Sequence, residues 1–70
     1  MSNEFKEWLE DRITEVVLDS GAMDRIEEIS NPSFNKTDVH GWKNGQKVLL
    51  KVWFDDELEG WKIERMELNK

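Results

Sequence analysis

Apolar and polar residues alternate in two runs that meet at Asn44-Gly45. The runs read FNKTDVHGWK over 34–43 and QKVLLKVWF over 46–54. Asn-Gly suits a two-residue type I′ turn, because both turn residues need a positive φ. The pattern therefore predicts a β-hairpin whose turn sets the register. The expected partners are Lys43 with Gln46, Gly41 with Val48, Val39 with Leu50, Asp38 with Lys51, Thr37 with Val52 and Asn35 with Phe54.

This register assigns the side chains of the hairpin to two faces, since successive residues of a strand point to opposite sides. One face is apolar and is assigned to the core: Val39, Val48, Leu50, Val52 and Phe54. The opposite face, called the outer face below, is aromatic and basic: Lys36, Asp38, His40, Trp42, Lys47, Leu49, Lys51 and Trp53.

The N-terminal segment has the periodicity of an amphipathic helix from Asn3 to about Asp19. Its apolar residues recur at spacings of three and four, as one helical stripe requires. Gly21 follows the last of them and is a natural left-handed stop for the helix. The stripe consists of Phe5, Trp8, Leu9, Ile13, Val16 and Val17.

The segment 22–30 is open to two interpretations. Met23, Ile26 and Ile29 recur every three residues, which favours a short second helix. The alternative is that RIEEIS, at 25–30, forms a first strand paired with the hairpin. Pro32 ends either element, because the residue before a proline is driven out of the α region.

The C-terminal stretch 61–68 predicts a third strand antiparallel to the second strand of the hairpin. Met66 and Leu68 are out of phase with the apolar residues before them. A β-bulge at 64–65 would return both to the core face. Without a bulge they would join Leu49 on the outer face, and a helix from Glu57 is the rival prediction for this region.

The elements together predict an α+β fold, with the helix packed on an antiparallel meander of three or four strands in two layers. All 70 residues would form one small domain. Helix plus meander, closing on GWKIERMEL, resembles the small cystatin-like α+β domains in shape. The resemblance carries no motif and therefore implies no functional residue. Size and acidity also resemble those of many small phage or mobile-element proteins.

Composition narrows the class of protein. The net charge is −6, and residues 1–30 hold nine acids against three bases. There is no cysteine, no apolar run near the ~18 residues of a membrane span, and no signal-peptide pattern at the N-terminus. We therefore expect a soluble cytoplasmic protein without disulfides and without membrane contact.

The sequence offers little catalytic chemistry. His40 is the only histidine, and Asp38 shares its face, but local spacing supplies no further metal ligands. The acidic stretch 55–59 lacks the spacing of an EF-hand loop. The four glycines stand singly, so there is no phosphate-binding loop. We expect no enzyme activity, no cofactor and no metal.

The outer face of the hairpin is the first candidate for binding another macromolecule. Tryptophan is enriched at protein–protein hot spots, so a protein partner is the main expectation. Single-stranded nucleic acid or a small ligand is the alternative, because aromatic rings with interleaved lysines can stack bases. Homodimerisation through this face or through a free sheet edge is a third hypothesis. The candidate residues are Trp42, Trp53, His40, Lys47, Lys51 and Leu49.

The acidic helix is the second candidate surface. Its carboxylates could imitate the phosphates of a nucleic acid and occupy a basic cleft on a partner protein. The ordinary interpretation is a solvated helix face. The candidate residues are Glu7, Glu10, Asp11 and Glu15.

Overall fold

The protein forms one helix and four strands in a computed structural model that describes residues 3–66. The elements are α1 (Asn3–Ser20), β1 (Arg25–Ser30), β2 (Thr37–Lys43), β3 (Gln46–Asp55) and β4 (Gly60–Met66). The strands form one antiparallel sheet in the order β1-β2-β3-β4, and α1 packs on one face of it. This arrangement confirms the predicted α+β fold.

The central hairpin has the predicted register over the whole of β2. Val39 pairs with Leu50, Asp38 with Lys51 and Lys43 with Gln46. Asn44 and Gly45 have φ values of 54° and 80°, which is the geometry that Asn-Gly tolerates best. The expected pair of Asn35 with Phe54 does not form, because β2 begins only at Thr37. The Phe54 N–H instead donates a hydrogen bond to the Phe34 carbonyl at 2.8 Å.

The core lies between α1 and the sheet. Eight buried apolar side chains from the helix, the following turn and the two central strands fill it: Leu9, Ile13, Val17, Met23, Val39, Val48, Leu50 and Val52. The helix thus contributes a narrower stripe than predicted, with residues at a spacing of four. Val16 and Phe54 are half-buried, and Phe5 and Trp8 are exposed. Phe5 and Trp8 of the predicted stripe and Phe54 of the hairpin contact other aromatic rings instead.

The helix favoured for 22–30 is wrong, since RIEEIS forms the edge strand β1. The spacing of three has a different cause from helical periodicity. A β-bulge lies between Ile26 and Glu28, and it adds one residue to β1. Ile26 and Ile29 therefore both face the core, opposite Gly41 and Val39.

β4 pairs with β3 without a register shift, so the bulge considered at 64–65 is absent. Met66 lies opposite Leu49 on the outer face, as the alternative prediction had it, and Leu68 lies outside the described residues. The helix considered from Glu57 does not form, because 56–59 is a turn. The Asp55 carboxylate stabilises that turn by accepting hydrogen bonds from the N–H groups of Glu57 and Leu58, at 2.9 and 3.2 Å.

Asp24 joins the start of β1 to the turn of the hairpin. Its carboxylate accepts a hydrogen bond from the Asn44 N–H at 2.8 Å and lies 3.4 Å from the Lys43 ammonium. Its own N–H donates to the Trp42 carbonyl. The hydrogen bond from Asn44, helped by the positive charge of Lys43, lowers the pKa of the Asp24 carboxyl below its usual 3.8.

Candidate interaction surfaces

The outer face of the sheet carries all six residues predicted for the first binding surface. Lys47 is exposed and the other five are half-buried. In the part of the chain that the structure describes, no other layer lies over this face. The structure therefore places these side chains together: Trp42, Trp53, His40, Lys47, Lys51 and Leu49.

Trp42 lies between two cations that come from the neighbouring strands. The guanidinium of Arg25 in β1 lies 6.0 Å from the ring centroid, and the Lys47 ammonium in β3 lies 5.7 Å from it. Both distances are typical of cation–π contacts. The indole Nε1 is buried and has no hydrogen-bond partner among residues 3–66. Because the π system already contacts two cations, this ring offers less free surface for a stacking base than the sequence suggests.

The charge of the outer face is mixed, whereas the hairpin alone predicts a basic surface. β1 brings Glu28 next to His40, and the carboxylate of Glu27 lies 3.7 Å from the Lys47 ammonium. β4 brings Glu64 opposite Lys51. The two flanking strands thus place acids among the lysines of the hairpin, and the attraction for phosphates is correspondingly reduced.

The described residues place no set of further metal ligands around His40. Its neighbours across the sheet are Glu28 and Leu49, and Asp38 lies two residues away on the same face. No group of three or more His, Cys, Asp or Glu side chains within residues 3–66 is placed to hold a metal ion. Two surface depressions, of about 440 and 370 Å³, lie elsewhere, beside Trp8 and at the C-terminal end of α1.

The acidic surface of α1 divides into a ridge and a flank. Glu7, Asp11 and Glu15 are exposed and follow one another at a spacing of four, so they form one ridge. Glu10 lies to the side of this ridge and is half-buried. The Arg12 guanidinium lies 3.3 Å from the Glu15 carboxylate, which partly neutralises one end of the ridge.

Five aromatic rings meet where the N-terminal end of α1 approaches the loops at one end of the sheet. We call this group the aromatic patch. Phe34 contacts all four other rings, with centroid distances between 5.6 and 6.2 Å. Phe5 is 56% exposed, Trp8 47% and Phe34 39%, although rings of this size are normally buried. The members are Phe5, Trp8, Phe34, Phe54 and Trp61.

Acidic residues border the aromatic patch on two sides. Glu4, Lys6 and Glu7 are the chain neighbours of Phe5 and Trp8 in α1, so acids exceed bases by one on this side. On the other side, the loop between Phe54 and Trp61 carries four acids. The fold therefore brings two acidic stretches that are distant in sequence to the border of one apolar surface, and the second consists of Asp55, Asp56, Glu57 and Glu59.

Sequence reasoning missed the aromatic patch as a surface. It assigned Phe5, Trp8 and Phe54 to the core and gave Phe34 and Trp61 to strands. One signal in the sequence was available, because Phe54 of β3 and Trp61 of β4 stand on either side of the acidic loop that joins these strands. Rings on either side of a tight turn lie close together, so an aromatic pair at the sheet end was predictable.

Comparison with known proteins finds no matching family model, no curated protein and no solved structure similar to this chain. No helix within the described residues is long and apolar enough to cross a membrane.

Proposed function

We propose that this protein is a small non-enzymatic interaction protein that binds a protein partner through the aromatic patch and thereby modulates that partner. The observation that supports this most is the exposure of three contacting rings, Phe5, Trp8 and Phe34. Contiguous exposed apolar surface on a small protein commonly marks an interaction site. Aromatic rings supply large contact areas at low entropic cost, which is why they dominate binding hot spots.

The core does not require these exposed rings. Seven buried aliphatic side chains and Met23 fill it, drawn from α1, the following turn, β2 and β3. Phe5 and Trp8 contact Phe34 and each other, and neither is among the described residues that form the core or pack against it. Their exposure leaves apolar surface in contact with water, which is unfavourable in free energy. A partner that buried this surface would recover that free energy on binding.

The charge around the patch indicates the chemistry of the partner. Acids border the rings in α1 and in the β3–β4 loop, and the whole chain has a net charge of −6. A complementary surface is therefore apolar at its centre and rich in lysine or arginine at its rim. A second copy of this chain fits the patch poorly, because a two-fold contact would set one acidic border against the other.

Binding of single-stranded nucleic acid or a small ligand through the outer face is the weaker candidate. Trp53 and the lysines beside it support it, since an aromatic ring among cations can stack a base. Against it stand the acids Glu27, Glu28 and Glu64 on the same face and the two cations at the Trp42 ring.

Affinity capture with matched variants tests the proposal. The bait proteins are wild type, a patch variant with Phe5→Ala and Trp8→Ala, a helix control with Leu18→Ala, and an outer-face variant with Trp53→Ala. Leu18 is a suitable control because it is 42% exposed on the same helix but lies near the opposite end of that helix from Phe5 and Trp8. Circular dichroism establishes that each variant is folded.

We expect one stoichiometric protein that wild type, Leu18→Ala and Trp53→Ala all retain after nuclease treatment, and that the patch variant loses. With the purified partner, the patch variant should bind about 30-fold or more weakly, as for loss of a hot spot of ~2 kcal/mol. Glu7→Lys with Asp11→Lys should slow association, and added salt should do the same.

Equal capture by wild type and the folded patch variant would refute the proposal. Loss of the partner with Trp53→Ala alone would move binding to the outer face. If the captured material is nucleic acid, its affinity should fall steeply with salt, because phosphate contacts release counterions. That result would favour the nucleic-acid alternative.

A further inference from the structure

The two edges of the sheet differ in how they are protected against pairing with another strand. β1 is interrupted by the bulge between Ile26 and Glu28, where the exposed acids Glu27 and Glu28 follow each other. A bulge is one of the usual devices that prevent edge pairing, because it bends the strand and breaks its regular row of hydrogen-bonding groups. β4 is regular from Gly60 to Met66 and has no bulge and no proline. β4 is therefore the more receptive edge.

The hydrogen bonds of β3 determine which backbone N–H and C=O groups of β4 point away from the sheet. The Phe54 N–H donates to Phe34, on the β2 side of the sheet. The N–H and C=O groups of successive residues point to opposite sides of a strand. Those of Asp55, Trp53 and Lys51 therefore point toward β4. Their partners are the even-numbered residues of β4. The N–H and C=O groups of Trp61, Ile63 and Arg65 consequently point away from the sheet.

We propose that β4 is a homodimer edge, where two copies pair antiparallel about a two-fold axis at Ile63 and join their sheets into one of eight strands. In this register Ile63 lies opposite Ile63 of the second copy, and Trp61 lies opposite Arg65. These residues are the ones whose backbone groups point outward, so all six outward N–H and C=O pairs of the dimer find partners.

The side chains of β4 are complementary in the same register. On the outer face, Lys62 lies opposite Glu64 of the second copy, and the two-fold axis repeats this attractive pair. On the helix side, Arg65 comes beside the ring of Trp61, which is a favourable cation–π combination. Half-buried Ile63 gains an identical neighbour at the axis.

The adjacent two-fold registers are less favourable. Moving the axis to Lys62 sets two lysines opposite each other, and moving it to Glu64 sets two glutamates opposite each other. The axis at Lys62 also sets Arg65 opposite Glu59, which lies in the turn, so the outward groups of Arg65 would stay unpaired. Charge therefore selects the register centred on Ile63, and hydrogen bonding favours it over the axis at Lys62.

The first test is the concentration dependence of the mass, measured by sedimentation equilibrium with the full chain. We expect the mass to rise from 8.4 kDa toward twice that value as the concentration increases. A constant monomer mass at all concentrations would overturn the proposal.

Charge reversal tests the register. Lys62→Glu sets acids opposite acids at both repeats, and Glu64→Lys sets lysines opposite lysines. Each single variant should dimerise roughly tenfold more weakly or worse, because two attractive pairs become repulsive. An equimolar mixture of the two variants should regain dimers, because every contact then joins a lysine to a glutamate.

The mixture also controls for folding, since Glu64→Lys faces Lys51 within its own sheet and an unfolded variant would not rescue its partner. Glu28→Lys on the outer face of β1 is the matched control at the other edge and should leave the dimer unchanged. Undiminished dimerisation of both single variants would refute pairing at β4 in this register. Failure of the mixture to regain dimers would refute it as well.

Discussion

Gly41 is the position where a single added methyl group should cost most. It is buried in β2 and faces the core side, where β1 approaches closely. A Cβ at this position would lie 2.6 Å from the Met23 Sδ and 3.1 Å from the Ile26 Cα, and it would overlap the carbonyl oxygen of Arg25. Ordinary contacts between such atoms are ~3.5–4.0 Å, so Gly41→Ala forces β1 away from β2.

The magnitude follows from two opposing effects. Overpacking costs about 1–3 kcal/mol, and the upper end applies here because a backbone carbonyl cannot rotate away as a side chain can. Replacing glycine by alanine returns about 0.4–1 kcal/mol, because the unfolded chain loses conformational entropy. The net loss in the free energy of unfolding is then about 2 kcal/mol, or roughly 8–16 °C in Tm for a domain of this size.

Thermal and urea unfolding, followed by tryptophan fluorescence, measure this loss. Gly60→Ala is the matched control, because its φ is not positive and its Cβ would meet only the Leu58 carbonyl oxygen, at 3.8 Å. It should be neutral or slightly stabilising. Hydrogen exchange should show the β1 amides of Gly41→Ala losing protection first. A Gly41→Ala variant within 0.5 kcal/mol of the wild type would refute the close approach of β1.

Two further predictions concern polar contacts that hold loops in place. Asp24→Ala should lower Tm at neutral pH and have little effect well below pH 3.8, since a carboxyl with a lowered pKa stabilises the fold only while it is ionised. Thermal unfolding of the wild type and the variant at a series of pH values measures the difference in Tm. An equal loss of Tm at every pH would contradict this prediction. Thr37→Val should cost about 1–3 kcal/mol, because the buried hydroxyl accepts from the Ser33 N–H at 2.8 Å and donates to the Ser33 carbonyl at 3.0 Å. Thr37→Ser keeps both bonds and should lose less, so an equal loss in the two variants would argue against the hydrogen bonds.

The hairpin was predictable because its signals are local. Asn44-Gly45 specifies a turn geometry, the turn specifies the register, and the register separates two faces by simple alternation. The helix was predictable for the same reason, since Leu9, Ile13 and Val17 recur within one element. In each case, the residues that carry the pattern also make the contact.

β1 and the aromatic patch were not predictable by such local patterns. The spacing of Ile26 and Ile29 fits a helix turn and a bulged strand equally well, and only pairing with β2 decides between them. The patch joins rings from a helix, a loop and two strands, and it depends on how far α1 overlaps the sheet. Periodicity indicates that Phe5 and Trp8 share a helix stripe, but it does not indicate where the sheet beneath that stripe ends.

Trp61 links the two proposed contacts. It belongs to the aromatic patch through Phe34 and Phe54, and it is also the residue of β4 that would meet Arg65 of a second copy. A partner that covers the patch and a second copy that pairs with β4 would therefore act on the same indole. If the partner contacts Trp61 differently in monomer and dimer, its affinity must depend on protein concentration, and it must shift the dimer equilibrium by the same factor. A dimer would also present two aromatic patches on one face of a continuous sheet, so a partner with two matching sites would gain avidity without any new contact.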